Sequence, residues 1–274
     1  MIKYLVTSGC SFTHNPWSPT WAYLLNDRLK DTYPDLFFKN TAYPSQGNII
    51  IQKKAMYALS NLLDQKVNTD EILCVVMWSG LERQTFYIDG DYATNKLIKF
   101  LEHDFEGGFE GQLLDLENRM PNSRKIVTKN NISFDINMSG GWYLRLSSMG
   151  CDAGDIDTYR LSDVFPSTHQ VINTVENMVM LENFCKINNI KLVHQFFRQN
   201  VLDSILEYRE HQSIKYLLKQ LNHNMMLNEG QGEFCFNRNL VISKTNLHPS
   251  REGHAAYCNQ ILFPFLTDRG LLNE

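Results

Sequence analysis

The sequence predicts an α/β protein, a three-layer α/β/α sandwich around a central, mostly parallel sheet of five strands, with a segment inserted into it. Three observations predict it. Short apolar, β-branched runs alternate with helical periodicity up to residue 78, the same alternation resumes at Ser167, and a Gly-, Asn- and Asp-rich stretch without core periodicity lies between them.

Residues 2–7 read as a short, mainly apolar strand closed by the small residues Ser8 and Gly9, expected to be buried on both faces and central in the sheet. Trp21, Leu24, Leu25 and Leu29 fall at helical spacing, and residues 37–40 read as a second strand. Ile51, Ala55, Leu59 and Leu62, at steps of four, four and three, share one face of a helix over about 48–63. Residues 72–78 form a third, apolar strand. The order β-α-β-α-β suits a parallel sheet, because parallel neighbours need a crossover between them.

The rhythm then breaks. Asp89-Gly90, between Phe86-Tyr87-Ile88 and Tyr92, is a hairpin signal, since both central residues of such a turn need positive φ. With Gly107, Gly108, Gly111, Gly140, Gly141 and Gly154, the stretch from about 84 to 166 reads as an insertion into a single domain spanning 1–274. It is expected to be a cap over the site or a partner surface through which the chain oligomerises; an ordinary surface excursion is the plainer alternative. Ser167 and Gln170 form a capping-box pattern ahead of a long helix whose buried face is Val171, Val175, Met178, Leu181 and Cys185. Residues 190–197 supply a fourth strand, about 202–227 a helical stretch, and 234–236 or 240–242 a fifth strand. A last helix covers about 250–262.

Hydrophobic residues make up 43% and charged residues 20% of the 274, so a packed core is expected rather than disorder. A net charge of −4 without Lys/Arg runs gives no basic field for holding phosphate backbones, and no nucleic-acid partner is expected. The six cysteines contain no C-x-x-C pair, which argues against a zinc site or a redox motif, so neither metal nor cofactor is expected and the thiols read as reduced. With no leader-like segment before the first strand and no apolar run long enough to span a bilayer, the expectation is a cytoplasmic protein without a membrane partner.

Three stretches fall where an open α/β sheet places its site, after the carboxyl ends of strands. Gly9-Cys10-Ser11-Phe12-Thr13 puts a serine on a glycine-led turn, able to expose its hydroxyl and aim its own N–H at a developing oxyanion. Alone, such a serine equally binds phosphate or caps a helix. In Asn40-Thr41-Ala42-Tyr43-Pro44-Ser45-Gln46-Gly47-Asn48, the Gly47 N–H near a helix start is a second candidate oxyanion donor, although Pro44 and Gly47 also suit a plain turn and Asn48 a cap. In Asn246-Leu247-His248-Pro249-Ser250-Arg251-Glu252-Gly253-His254, proline holds His248 extended, so that it can reach the top of the sheet and Ser11.

Together these stretches resemble blocks one, two and five of the SGNH/GDSL hydrolases, and more loosely divergent members encoded by bacteriophages; the late H-P-S-x-x-G-H is the most specific. The resemblance implies a flavodoxin-like fold, with Ser11 as nucleophile, His248 as base, and Ser11 and Gly47 as oxyanion donors. Two departures stand out. The family's third block offers Gly-x-Asn after strand three, whereas this chain reads Met77-Trp78-Ser79-Gly80-Leu81-Glu82-Arg83, leaving Ser79 or the Gly80 N–H to substitute. The family's acid precedes the histidine by two or three residues, where Thr245 and Asn246 stand here, so Asn246 is the candidate orienting residue. Cys10 also replaces the Asp of G-D-S.

What the resemblance implies is two-step acyl transfer on an ester, with an O-acetyl group on a carbohydrate as the expected target and the host cytoplasm or a virion as its place if phage-encoded. Asn48, Ser79 and Trp142 are candidate substrate contacts, and Trp17 a further aromatic. The rival from another class is a glycan-binding or virion-associated structural module that keeps the fold without the chemistry. A redox role for Cys10 is weaker, because no resolving cysteine lies nearby in sequence.

Overall fold

The computed structural model describes residues 1–14, 18–44, 46–81, 83–88, 126–129, 132–136, 142–146 and 167–272. The chain forms two compact units, Met1–Glu82 with Phe165–Glu274, and Arg83–Val164. The first unit begins with β1 (Tyr4–Ser8), α1 (Trp21–Thr32), β2 (Phe37–Asn40), α2 (Asn48–Asp64) and β3 (Ile72–Trp78). The second holds β4 (Gln84–Ile88), β5 (Ile126–Lys129), β6 (Ile132–Ile136) and β7 (Trp142–Leu146). The first then resumes with α3 (Ser167–Ile187), β8 (Lys191–Phe196), α4 (Gln199–Glu207), α5 (Gln212–Leu218), α6 (Gln231–Asn237), α7 (Arg251–Tyr257) and α8 (Phe263–Asp268). A π turn at Cys258–Leu262 joins the last two helices.

The first unit is the predicted α/β arrangement. Its sheet runs β2-β1-β3-β8 with every pairing parallel. The chain steps from β1 outward to β2 and then back across to β3, so right-handed crossovers place α1 and α2 on opposite faces. The step from β3 to β8 continues in the second direction, which puts α3 beside α2, and these two helices pack together. All seven residues of β3 are buried, as a strand covered on both faces requires. Val171, Val175, Met178, Leu181 and Cys185 are all buried along α3.

Among the described residues the sheet has four strands rather than the five expected. Residues 234–236 lie inside α6, where Phe234 and Cys235 are buried and Phe236 is exposed, a one-sided pattern that a short helix satisfies. Residues 240–242 contribute a single antiparallel bridge, Val241 to Pro249. The outer edge of β8 is met at one position, where the Leu227 N–H donates to the His194 carbonyl at 2.9 Å beside a bridge from His194 to Met226. The helical stretch expected over 202–227 is broken into α4, α5 and a 3₁₀ turn at His223–Met225.

The second unit contains a four-stranded antiparallel sheet, ordered β4-β7-β6-β5, which the Gly-rich composition did not signal. β4 pairs with β7 from Gln84 opposite Leu146 to Ile88 opposite Trp142. The Asp89-Gly90 turn, Trp17 and the side chain of Trp142 lie outside the described residues. No described helix is long and apolar enough to cross a membrane.

In this strand order the crevice where the connections diverge opens at the carboxyl ends of β1 and β3. Ser8 lies opposite Val76 in the parallel register, so the loops after these two strands emerge side by side, with the end of β2 on the other side of β1.

Candidate active site

Ser11 sits on a turn that the Cys10 carbonyl closes, accepting from the N–H groups of Thr13 at 3.0 Å and His14 at 2.9 Å. The turn needs glycine at its start, since a Cβ on Gly9 would lie 2.2 Å from Thr13 Oγ1, itself held by Trp21 Nε1 at 3.2 Å. The Thr13 carbonyl in turn accepts from Thr20 Oγ1 at 2.8 Å and Asn40 Nδ2 at 2.9 Å. Hydrogen bonds from two neighbouring elements thus fix the serine loop, and the Ser11 hydroxyl emerges 2.9 Å from His248 Nε2.

His248 is carried by a hairpin-like excursion. Ile242 N–H donates to the His248 carbonyl at 2.9 Å, and Ser250 N–H to the Leu240 carbonyl at 2.8 Å. Each residue of the H-P-S-x-x-G-H stretch has a physical role there. Pro249 is buried against Val241, the Ser250 hydroxyl caps α7 by accepting from the Gly253 N–H at 3.1 Å, and a Cβ on Gly253 would lie 2.3 Å from the Leu240 carbonyl oxygen. Asn246 Oδ1 lies 2.8 Å from His248 Nδ1 and accepts the His248 main-chain N–H at 3.2 Å. An oxygen that takes a main-chain donor is an acceptor for the ring as well, so Nδ1 carries the proton and Nε2 is left to receive one from Ser11. The Asn246 N–H is itself held by Ser243 Oγ at 2.9 Å. Under the imidazole lies Phe12, ring centroids 5.0 Å apart, and Phe12 meets Phe197 edge to face at 5.4 Å.

His254 is buried, and its Nδ1 is 2.9 Å from Gln231 Nε2. Burial, with neighbouring His248 as a lesser cause, pushes its pKa down from 6.5 to about 3. The folded state keeps this ring neutral where the unfolded chain would protonate it, so its contribution to stability is complete above pH 6.5 and is lost progressively as pH falls towards 3. The urea midpoint should therefore drop between pH 7 and pH 5, by up to about 1.4 kcal/mol of stability per pH unit from this group. His254→Gln should flatten that slope; an unchanged slope would assign the acid sensitivity to other groups.

Gly47 is buried at the N-cap of α2, and its carbonyl accepts from Ile50 and Ile51. Gly80 is buried directly after Ser79. Among the described residues, no acceptor meets the main-chain N–H of Ser11, Gly47 or Gly80. These three donors belong to the loops around the carboxyl end of β1.

Asn48 and Ser79, the candidate substrate contacts, bond to each other. Both are buried, and Asn48 Oδ1 accepts the Ser79 N–H at 2.7 Å while its Nδ2 donates to the Ser79 carbonyl at 3.3 Å and to Thr174 Oγ1 at 3.0 Å. An amide engaged at both ends inside the protein joins elements rather than meeting a ligand. The end of β3 is also braced from below, since Trp78 Nε1 donates to His194 Nδ1 at 2.9 Å and His194 Nε2 lies 2.8 Å from Glu182. Burial pushes the Glu182 carboxyl up, but the bond from His194 and the charge of Lys186 outweigh it and hold the group below its usual range. Phe197, Thr174 and Gln231 carry no sequence signal for their places around the site, whereas Phe12 lies within the first stretch. Among the described residues no three His, Cys, Asp or Glu side chains converge as metal ligands would.

No protein family's sequence profile matches the chain, and no curated protein matches it. Among solved structures, the chain is similar to the psychrotrophic esterase EstA from Pseudoalteromonas sp., in a form inhibited by monoethylphosphonate, at 10% identity over 98% of this chain and 100% of that one, with a TM-score of 0.46.

Proposed function

We propose that this protein is a serine-nucleophile hydrolase of carboxylic esters, of the SGNH/GDSL kind that its sequence blocks resemble. The observation that carries the reading is the Ser11 hydroxyl 2.9 Å from His248 Nε2, on a ring whose other nitrogen is anchored 2.8 Å from Asn246 Oδ1. The reaction runs in two halves. As Ser11 Oγ bonds to the ester carbonyl carbon, its proton passes to Nε2, and the N–H groups of Ser11, Gly47 and Gly80 stabilise the oxyanion. Collapse breaks the bond to the leaving alkoxide, which takes the proton from Nε2. Water then repeats the sequence on the acyl-enzyme, releasing the carboxylic acid and restoring Ser11. The substrate in this reading is a short acyl ester, an O-acetyl group on a carbohydrate.

The competing reading, a fold retained as a glycan-binding or structural module, is favoured by the neutral Asn246 standing where an acid would support the base. A fluorophosphonate probe with peptide mapping separates the two. Ser11 should be labelled, and prior denaturation or His248→Ala should prevent labelling. A native protein that leaves Ser11 unmodified would favour the binding module.

A further inference from the structure

The third stretch lacks the asparagine that the resemblance would place after β3, yet a buried asparagine reaches the end of β3 from another element. Asn48 belongs to the first turn of α2, and its side-chain amide pairs with the peptide of Ser79 much as a neighbouring strand would. It accepts the Ser79 N–H at 2.7 Å and donates to the Ser79 carbonyl at 3.3 Å. The second proton of its Nδ2 goes to Thr174 Oγ1 on α3 at 3.0 Å, which fixes the plane of the amide. Three elements that are distant in sequence thus meet in one cluster, with Asn48 4%, Ser79 0% and Thr174 2% exposed.

Two consequences follow from this pairing. The Ser79 N–H is already engaged, so the main-chain donor left at the end of β3 is that of Gly80. The peptide that carries the Gly80 N–H is also held, because its carbonyl, that of Ser79, accepts from Asn48 Nδ2, while Oδ1 of the same amide holds the peptide before it through the Ser79 N–H. Resting on the esterase reading above, we infer that Asn48, clamped by Thr174, is the positioning residue that sets the Gly80 N–H as an oxyanion donor, replacing from α2 the missing side-chain donor of the third stretch. It acts through the main chain and touches no reacting atom. A donor preset by buried hydrogen bonds needs no reorganisation when the negative charge develops, and the tetrahedral state feels it more than the bound ester does.

The test uses the full chain and p-nitrophenyl acetate, with an alkyl boronic acid as a tetrahedral adduct on Ser11 Oγ. Asn48→Ala should lower kcat roughly tenfold while leaving KM within about twofold, and should weaken the boronic acid by the same factor as kcat/KM falls. Thr174→Val, which removes only the outer clamp, should shift kcat and boronate affinity in the same direction by less. Thr174→Ser, which keeps the hydroxyl, should restore both. If Asn48→Ala fails to fold, the Thr174 pair carries the test alone. A folded variant with wild-type kcat, a loss confined to KM, or an unchanged boronate affinity would overturn the inference. Equal hydrolysis by wild type and Ser11→Ala would overturn the esterase reading, and this inference with it.

Discussion

Ser11→Ala is expected to reduce p-nitrophenyl acetate hydrolysis by roughly 10³-fold or more, to the level of the oxyanion donors and binding alone, with no loss of fold. The size follows from the chemistry. Without Oγ there is no covalent intermediate, and the nucleophile left is a water that must attack the ester directly. The fold should be indifferent because Ser11 sits on a turn closed by main-chain bonds to the Cys10 carbonyl, in which its side chain takes no part. Activity and circular dichroism on the same preparation check both halves. A variant as active as the wild type would transfer the case to the binding module.

The second large effect is expected at Asn246. Its oxygen, 2.8 Å from Nδ1, accepts the Nδ1–H and so selects the tautomer in which Nε2 can act as base. Asn246→Ala removes that selection and should cost on the order of 10²-fold in kcat, since a wrongly tautomeric imidazole offers Ser11 a proton instead of a lone pair. Asn246→Asp keeps the acceptor and adds a charge. A nearby anion favours the protonated ring, so the acid limb of the pH–rate profile should move to higher pH. Above that limb the imidazolium formed during attack is better stabilised and kcat should rise. Asn246 is exposed, so solvent screens the new charge, and the gain should be nearer tenfold than the much larger effects of buried acids. Profiles identical in wild type, Asn246→Asp and Asn246→Ala would show that something other than Asn246 orients His248.

Much of the first unit was legible because its signals are local. β1 is largely and β3 wholly an apolar run, α2 and α3 show their buried faces at steps of three and four, and glycine and proline mark the turns. The fifth strand failed for the reason such short runs often fail. Phe234-Cys235-Phe236 reads as strand or helix equally well over three residues, and what decides between them is the docking of α6 beside α4 and α7. The antiparallel sheet of the second unit was hidden by composition. Its short strands are separated by glycine- and asparagine-rich connections, and the pairing of β4 with β7 spans too many residues for any local pattern to announce.

At the site the division is the same. The residues of the H-P-S-x-x-G-H stretch announce themselves because each answers a local need: an extended histidine before proline, a serine cap, a glycine at a close approach, a histidine to bury. Sequence by itself therefore determined the parallel core of the first unit, and singled out the serine and the histidine that the structure brings within 2.9 Å of each other. Only the tertiary structure decided that Asn48 turns inward to hold Ser79, that Thr174 locks it, that Phe12 lies under the imidazole, and that His254 is kept neutral by burial. Each of those contacts joins residues whose spacing in the chain is set by the crossovers between strands rather than by the geometry of any one element. A period of two or 3.6 residues reports which face is buried, but not what it is buried against.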